Sequence, residues 1–201
     1  MLRVGLTGGL ASGKSFVGHA LADLGCHFIE ADELGHQVLL PDGEAYDAVV
    51  REFGTGILTP EQCIDRRKLG ALVFDQPALL EKLNKLVHPP VGTRQARMIA
   101  EIEARDPHAI VVVAAAILVE TGSYKRFDRL IVVTCTMEQQ IERAVKRGPY
   151  TREEVLARLS RQLPLAEKVR VADYVIDTSG DKENTLEQVR AVYQSLRSVS
   201  L

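Results

Sequence analysis

A glycine-rich segment near the start of the chain has the residue types and spacing of a phosphate-binding loop. Residues 8–15 read GGLASGKS, which satisfies the pattern G-x-x-x-x-G-K-[ST]. Glycines permit positive φ angles and let backbone N–H groups surround a phosphate, and a following helix adds partial positive charge. Lys14 can reach the β- and γ-phosphates of a nucleotide, and the Ser15 hydroxyl can bind Mg²⁺. The segment therefore predicts nucleotide binding, but it does not identify the acceptor.

Two carboxylates follow the second apolar run, at residues 27–29. In an open α/β sheet, ligands bind beyond the carboxyl ends of the strands, so Asp32 could face the γ-phosphate. There it could accept a proton from an attacking hydroxyl and help hold hydrated Mg²⁺. Alternatively, Asp32 caps the helix that begins near Glu33, and local sequence leaves both interpretations open. Glu30 could face the site or only the neighbouring backbone.

The elements that must position these groups are short apolar runs that alternate with helical patterns. Strands are predicted at 2–6, 27–29, 110–113, 130–133 and 174–176, and helices at 14–24, 137–147 and 185–196. The run at 110–113 lacks polar alternation, which indicates a strand buried on both faces. Strands alternating with helices predict a parallel sheet covered on both faces.

Two stretches interrupt this rhythm. Residues 33–105 are almost entirely helical in pattern, with a helix start near Asp75 and an apolar stripe from Leu79 to Val87, and they predict a helical insertion. Residues 143–170 contain a break at Pro149 and a capping box at 151–154 (TREE), which predict a helical hairpin over the sheet edge.

Composition limits the classes of protein. The 201 residues carry 25 Lys and Arg against 27 Asp and Glu, a balance that disfavours coating of nucleic acid by bulk charge. Three scattered cysteines, Cys26, Cys63 and Cys135, fit reduced thiols better than disulfides or a zinc site. The longest apolar run, 109–119, is too short to span a bilayer, and the N-terminus does not resemble a signal peptide. We expect a soluble, cytoplasmic protein.

The phosphate loop together with residues 30–38 (EADELGHQV) resembles the dephospho-CoA kinase family. The segments that also agree are 53–54 (FG), 64–70 (IDRRKLG), 73–74 (VF), 83–84 (LN), 88–89 (HP), Arg158 with Gln162, Lys168, and 172–177 (ADYVID). The resemblance covers nearly the whole chain. It implies transfer of the γ-phosphoryl group of ATP to the ribose 3′-hydroxyl of dephospho-CoA, which is the last step of coenzyme A biosynthesis.

The resemblance also implies an architecture. We expect an α/β, P-loop nucleotide kinase-like three-layer fold with a five-stranded parallel sheet flanked by helices. The single domain, 1–201, would comprise a core (about 1–32, 106–142 and 171–201), a helical CoA-binding insertion (about 33–105) and a lid (about 143–170). ATP, Mg²⁺ and dephospho-CoA are the expected small-molecule partners of a monomer or weak oligomer, with no nucleic acid or membrane.

Site residues follow from the same resemblance. Asp32 matches the proposed general base of the family, and Lys14 and Arg143 would act on the transferred phosphate. The expected ATP-binding residues are Gly9, Ala11, Ser12, Gly13, Lys14, Ser15, Phe16, Arg143 and Arg147, with Ser15 on the metal. The expected acceptor-binding residues are Glu30, His36, Arg66, Lys68, Leu69, His88, Leu118, Glu120, Arg158 and Gln162.

For several of these residues, spacing alone supports a plainer interpretation. Arg143 and Arg147 lie one helical turn apart, which also fits a solvated helix face. The basic run at 66–68 fits an exposed helix end, His88 fits a helix boundary before two prolines, and His36 fits a helix surface. The chain departs from the family at Glu30, where Asp is usual, at 116–120 (AILVE), where PLLFE is usual, and at Thr178, where Asn is common.

Two other functions share some of these features. A nucleoside or nucleotide monophosphate kinase would have the same core and lid. A GTP-dependent switch is formally suggested by D-x-x-G at residues 32–35. That pattern comes too soon after the phosphate loop for an intervening switch segment and strand, and 84–87 (NKLV) lacks the acid that would read guanine. Both stay below the dephospho-CoA kinase hypothesis.

Overall fold

The computed structural model describes residues 1–74, 76–148 and 150–200. The helix start predicted at Asp75 and the break predicted at Pro149 therefore lie outside the described residues. The chain forms two compact units: the first combines Met1–Glu30 with Ile102–Leu201, and the second is Ala31–Glu101.

A parallel sheet of five strands organises the first unit. The strands are β1 (Leu2–Gly8), β2 (His27–Glu30), β3 (Ile110–Ala114), β4 (Arg129–Thr134) and β5 (Tyr174–Asp177), in the spatial order β2-β3-β1-β4-β5. Every ladder between them is parallel. All residues of β3 are buried, as its unbroken apolar run predicts. The predicted α/β fold with a five-stranded parallel sheet is confirmed.

The helices connect and cover these strands. They are α1 (Lys14–Asp23), α2 (Ala31–Gln37), α3 (Tyr46–Phe53), α4 (Arg66–Phe74), α5 (Pro77–Arg105), α6 (Met137–Arg147), α7 (Arg152–Leu159), α8 (Leu165–Val169) and α9 (Lys182–Ser200). Helices α1 and α9 bury one face of the sheet, with Leu21 and Leu196 in the core. The opposite face carries Leu118 and Phe127, which pack over Gly5 of β1. Within the described residues, no helix combines the length and apolar character that crossing a bilayer requires.

The second unit is helical and has an apolar core of its own. Val38, Val49 and Leu69 are buried there. Its longest helix, α5, contains Pro89 and Pro90, where the sequence suggested a boundary. Proline removes a backbone donor but does not oblige the chain to turn. The helix continues because apolar residues on both sides of the prolines, among them Leu86, Val87 and Val91, pack against the same core.

Candidate active site

The phosphate loop is a tight turn between β1 and α1 at the carboxyl edge of the sheet. Ala11 and Gly13 adopt left-handed backbone conformations, with φ of 54° and 97°. A Cβ on Gly8 would lie 2.4 Å from the Val133 carbonyl oxygen, so only glycine fits against β4 there. Helix α1 begins at Lys14, which directs its N-terminal amides toward the loop. This geometry is that of an anion-binding turn, as the spacing of residues 8–15 predicts.

Two glutamines hold the Leu10 residue of the loop. The Leu10 N–H donates to Gln162 Oε1 at 2.9 Å, and Gln140 Nε2 donates to the Leu10 carbonyl at 2.8 Å. Gln140 comes from α6 and is buried, whereas Gln162 follows α7. Gln162 was expected to bind the acceptor, but in this conformation its side chain binds the phosphate loop.

Ser15, the last residue of the phosphate loop, forms a hydrogen bond with a carboxylate. The Ser15 hydroxyl donates to Glu30 Oε1 at 2.5 Å, so the Glu30 side chain faces the loop and not merely the neighbouring backbone. Lys14 Nζ donates to the Gly9 carbonyl at 3.0 Å, which places its ammonium across the loop. A hydroxyl and a carboxylate are hard oxygen donors of the kind that Mg²⁺ accepts. Within the described residues, no cluster of three His, Cys, Asp or Glu side chains is arranged to hold a metal.

A cleft of about 260 Å³ adjoins the loop within the first unit. It is lined by Gly13, Phe16, Arg143, Arg147, Thr178, Gly180, Asp181, Lys182 and Thr185. The structure thus brings both predicted arginines and Phe16 together beside the loop. The turn after β5 was not among the predicted site residues. Its sequence signals are its position at the carboxyl end of a strand and Thr178, where the family commonly has Asn.

Arg143 is anchored at this cleft by Thr178. Its Nη1 donates to Thr178 Oγ1 at 2.9 Å, and its Nη2 donates to the Thr178 carbonyl at 2.7 Å. Burial raises the pKa of the nearby Cys135 thiol, although Arg143 opposes that shift. The two bonds to Thr178 hold the Arg143 guanidinium at the cleft beside the phosphate loop.

The segment predicted to form a lid (about 143–170, here called the lid segment) is joined to the rest of the first unit through a buried ion pair. Lys168 of α8 is fully buried, and its Nζ lies 2.7 Å from Glu120 Oε1 and 2.8 Å from the Ala116 carbonyl. Glu120 Oε1 also accepts from the Leu163 N–H at 3.2 Å. Glu120 forms this internal pair through Oε1, while its other carboxylate oxygen, Oε2, is buried without a hydrogen-bond partner among the described residues. Its expected contact with the acceptor stays a prediction. Leu118, with the same expected role, is buried beside β1.

Helix α7 lies in the same lid segment. The predicted capping box is present, because Thr151 accepts from the Glu154 N–H and Glu154 accepts from the Thr151 N–H. Arg158 lies over the ring of Tyr150, 4.3 Å from its centroid. Such a cation–π contact orients the guanidinium.

The remaining predicted residues belong to the second unit. Asp32 is the second residue of α2, which begins at Ala31, so it lies within the first turn and does not cap a helix that starts at Glu33. Its side chain is exposed. His36 lies 3.2 Å from Glu33 Oε2 across one helical turn. His88 is exposed in the middle of α5 and is not the helix end that its prolines suggested.

The basic run begins helix α4. Asp65 caps the helix, because its Oδ1 accepts from the N–H groups of Arg67 and Lys68 at 2.9 and 3.2 Å. Arg66 and Lys68 are exposed, and Lys68 Nζ donates to the Leu58 carbonyl at 3.2 Å. Leu69, expected at the acceptor, is instead buried in the core of this unit. Its periodic position in an amphipathic helix accounts for that location.

Comparison with known proteins gives one family. The family model for dephospho-CoA kinase matches residues 2–184. A dephospho-CoA kinase of Geobacillus kaustophilus is 42% identical over 193 residues, covering 95% of this chain and 94% of that protein. One from Aquifex aeolicus is 40% identical over 196 residues, covering 98% of each chain. The crystal structure of TT1252 from Thermus thermophilus is similar in fold, with a TM-score of 0.80, 30% identity and 97% of each chain covered.

Proposed function

We propose, because the chain belongs to the dephospho-CoA kinase family, that it transfers the γ-phosphoryl group of ATP to the ribose 3′-hydroxyl of dephospho-CoA, giving CoA and ADP. The observation that carries the proposal is the family match over residues 2–184, which includes both the phosphate loop and the carboxylates at 30 and 32. Phosphoryl transfer needs positioning and charge neutralisation more than covalent chemistry, and the site offers both.

The first unit supplies the ATP-binding groups in this proposal. The amides of residues 9–15 and the Lys14 ammonium bind the β- and γ-phosphates. The adjoining cleft, with Phe16 on one side and Arg143 and Arg147 on another, accepts the nucleoside. Because Arg143 is already held beside the loop, its guanidinium can meet charge on the transferred group without a large rearrangement.

The Ser15–Glu30 pair suits a magnesium-dependent kinase. Ser15 would hold Mg²⁺ together with phosphate oxygens, and the Glu30 carboxylate, now paired with the Ser15 hydroxyl, would orient the ion's water ligands. When bound, Mg²⁺ neutralises charge on the β- and γ-phosphates. Glutamate can serve where the family usually has aspartate because its carboxylate, one methylene farther out, reaches the serine hydroxyl directly.

Asp32 is the proposed general base. Its carboxylate accepts the proton of the ribose 3′-hydroxyl as that oxygen bonds to the γ-phosphorus and the bond to the β–γ bridging oxygen breaks, leaving ADP. Support comes from the family motif and from the position of Asp32 two residues after Glu30, whose side chain reaches the phosphate loop. An exposed carboxylate in the first turn of α2 is accessible to a substrate.

The other unit and the lid segment complete the proposal. Arg66, Lys68, His36 and His88 offer cationic or hydrogen-bonding groups for the pyrophosphate and nucleotide of the acceptor. Closure of the lid segment, with Arg158, excludes water that would otherwise hydrolyse ATP. A cytoplasmic location and a monomeric or weakly oligomeric state stay predictions.

A coupled assay of ADP formation across a panel of acceptors tests the proposal. Dephospho-CoA should stimulate ADP release, whereas AMP, a nucleoside and shikimate should leave only slow hydrolysis. The Lys14→Ala variant is the matched negative control, because it removes the ammonium that binds the phosphates. Equal stimulation by AMP would assign the chain to the nucleotide monophosphate kinases instead.

A further inference from the structure

Thr178, the residue directly after β5, joins three parts of the nucleotide site. Its hydroxyl donates to the Ser12 carbonyl of the phosphate loop at 2.7 Å, and its N–H donates to the Thr134 carbonyl at the end of β4 at 2.9 Å. It also accepts two hydrogen bonds from Arg143 of α6. Thr178 as a residue is 6% exposed, so these bonds form with little competition from water.

We propose that Thr178 is a positioning residue that holds the Arg143 guanidinium at the nucleotide cleft and thereby sets the affinity for the nucleotide. The proposal rests on the proposed function only for the identity of the nucleotide. Thr178 acts through Arg143 and the loop, so it is not itself a catalytic group.

The hydrogen-bonding capacity of threonine explains why a hydroxyl is suited to this position. A hydroxyl has one proton to donate and lone pairs that accept. The Thr178 hydroxyl oxygen lies 2.7 Å from the Ser12 carbonyl oxygen and 3.2 Å from that of Thr134. The hydroxyl proton therefore goes to Ser12, the nearer acceptor. The lone pair then receives Arg143 Nη1. Valine has the same shape but can do neither, whereas serine can do both.

The methyl group of Thr178 also contacts the phosphate loop. A Cβ on Gly13 would lie 3.2 Å from Thr178 Cγ2, so the loop and the threonine are in close contact. Hydroxyl and methyl therefore fix Thr178 against two successive loop residues, Ser12 and Gly13. The position of the Arg143 guanidinium relative to the loop follows from that fixed point.

The predicted consequence of losing the Thr178 hydroxyl is weaker nucleotide binding, which can be measured apart from turnover. Thr178→Val leaves the bond from Arg143 Nη2 to the backbone carbonyl but removes the partner of Nη1. Without the Nη1 bond the Arg143 guanidinium must be ordered again when the nucleotide binds, and the lost restraint lowers affinity by about tenfold. We therefore expect the Kd for a non-hydrolysable ATP analogue, measured by calorimetry without acceptor, and the KM for ATP to rise by about tenfold. We expect kcat to fall as well, because the guanidinium that Thr178 holds also meets charge on the transferred group.

Thr178→Ser is the conservative control and should bind the analogue within about twofold of the native chain, because it keeps the hydroxyl. If Thr178→Val does not fold, Thr178→Ala supplies the same loss with less side chain. Equal weakening of analogue binding in Thr178→Ser and Thr178→Val would overturn the proposal. An unchanged Kd in Thr178→Val, which lacks the hydroxyl, would also overturn it.

A double-mutant cycle separates positioning of Arg143 from a general effect on the loop. In an Arg143→Met background, Thr178→Val should change the Kd by less than about twofold, since the residue through which it acts is absent. The same tenfold loss in both backgrounds would assign the effect to the Ser12 bond and overturn the proposal. Because binding is measured without an acceptor, a failure of dephospho-CoA as substrate leaves this test intact.

Discussion

The buried ion pair between Lys168 and Glu120 makes Lys168→Met a substitution with a large expected effect on stability. Lys168 is 0% exposed and Glu120 17% exposed at the side chain, with 2.7 Å between Nζ and Oε1. Removing one partner of a buried pair leaves an uncompensated charge, which costs about 3–5 kcal/mol. For a chain of this size each kcal/mol lowers the Tm by about 2–4 °C, so a fall of about 6–20 °C is expected.

The assay is thermal and urea unfolding followed by circular dichroism, at one buffer and protein concentration. The double variant Lys168→Met with Glu120→Gln should regain at least about half of the lost stability, since no buried charge is left. Glutamine still accepts from the Leu163 N–H through its amide oxygen, and the Ala116 carbonyl keeps the Thr7 hydroxyl at 3.2 Å.

Arg170→Met is the matched control for removal of a cation nearby in the chain. Arg170 pairs with Glu167 at the surface, where the side chains are 73% and 44% exposed. Exposed ion pairs contribute little to the free energy of unfolding, so Arg170→Met should have nearly the same Tm and urea midpoint as the native chain. If the free energy of unfolding of Lys168→Met falls by less than about 1 kcal/mol, or if that of Arg170→Met falls equally, the account of the buried pair is refuted.

Other outcomes follow from the same structure. Asp32→Asn should lower kcat about 10²–10⁴-fold, while a titration with a non-hydrolysable ATP analogue should find nucleotide binding retained. Near-native turnover would contradict the assignment of Asp32 as the general base. Gly18→Ala should lower the Tm because its Cβ would lie 2.1 Å from the Phe28 ring. Gly70→Ala, whose Cβ would have no packing neighbour within 4 Å among the described residues, should raise the Tm because alanine favours the helix. A higher Tm for Gly18→Ala than for Gly70→Ala would contradict this packing. Burial raises the pKa of the Cys26 thiol to about 12, so at pH 8 mass spectrometry should find it unalkylated in the folded protein, and rapid labelling would contradict its burial.

The sheet and the phosphate loop were predictable because local sequence determines them. An unbroken apolar run such as 110–113 is typical of a strand buried on both faces of a parallel sheet, and β3 confirms that prediction. The GGLASGKS segment likewise requires left-handed backbone, which Ala11 and Gly13 adopt. In both cases the residue types restrict the conformations before any tertiary contact forms.

The contacts that orient the site were not predictable, because they depend on residues far apart in the chain. Thr178 meets Arg143 and Ser12 only once β5, α6 and the loop are packed together. Glu30 could have pointed either way from the end of β2, and only the structure places its carboxylate on Ser15. No spacing rule in the sequence encodes either pairing.

Burial gives some of the expected acceptor-binding residues a structural role in this conformation, and their contact with the acceptor stays a prediction. Leu69 and Leu118 match family motifs, yet both lie in apolar cores, because a matched residue can be kept for packing. Glu120 is likewise taken up by Lys168, a partner 48 residues later in the chain. His88 was ambiguous for a different reason: tertiary packing on both sides of the prolines overrides the local signal for a helix end.

The most direct test of the proposed chemistry is the position of the new phosphate in the product. Purified protein, ATP, Mg²⁺ and dephospho-CoA should yield ADP and CoA in equal amounts, with phosphorus NMR locating the added monoester on the ribose 3′-oxygen. ADP release without a phosphorylated acceptor, or a phosphate on another oxygen, would contradict the account.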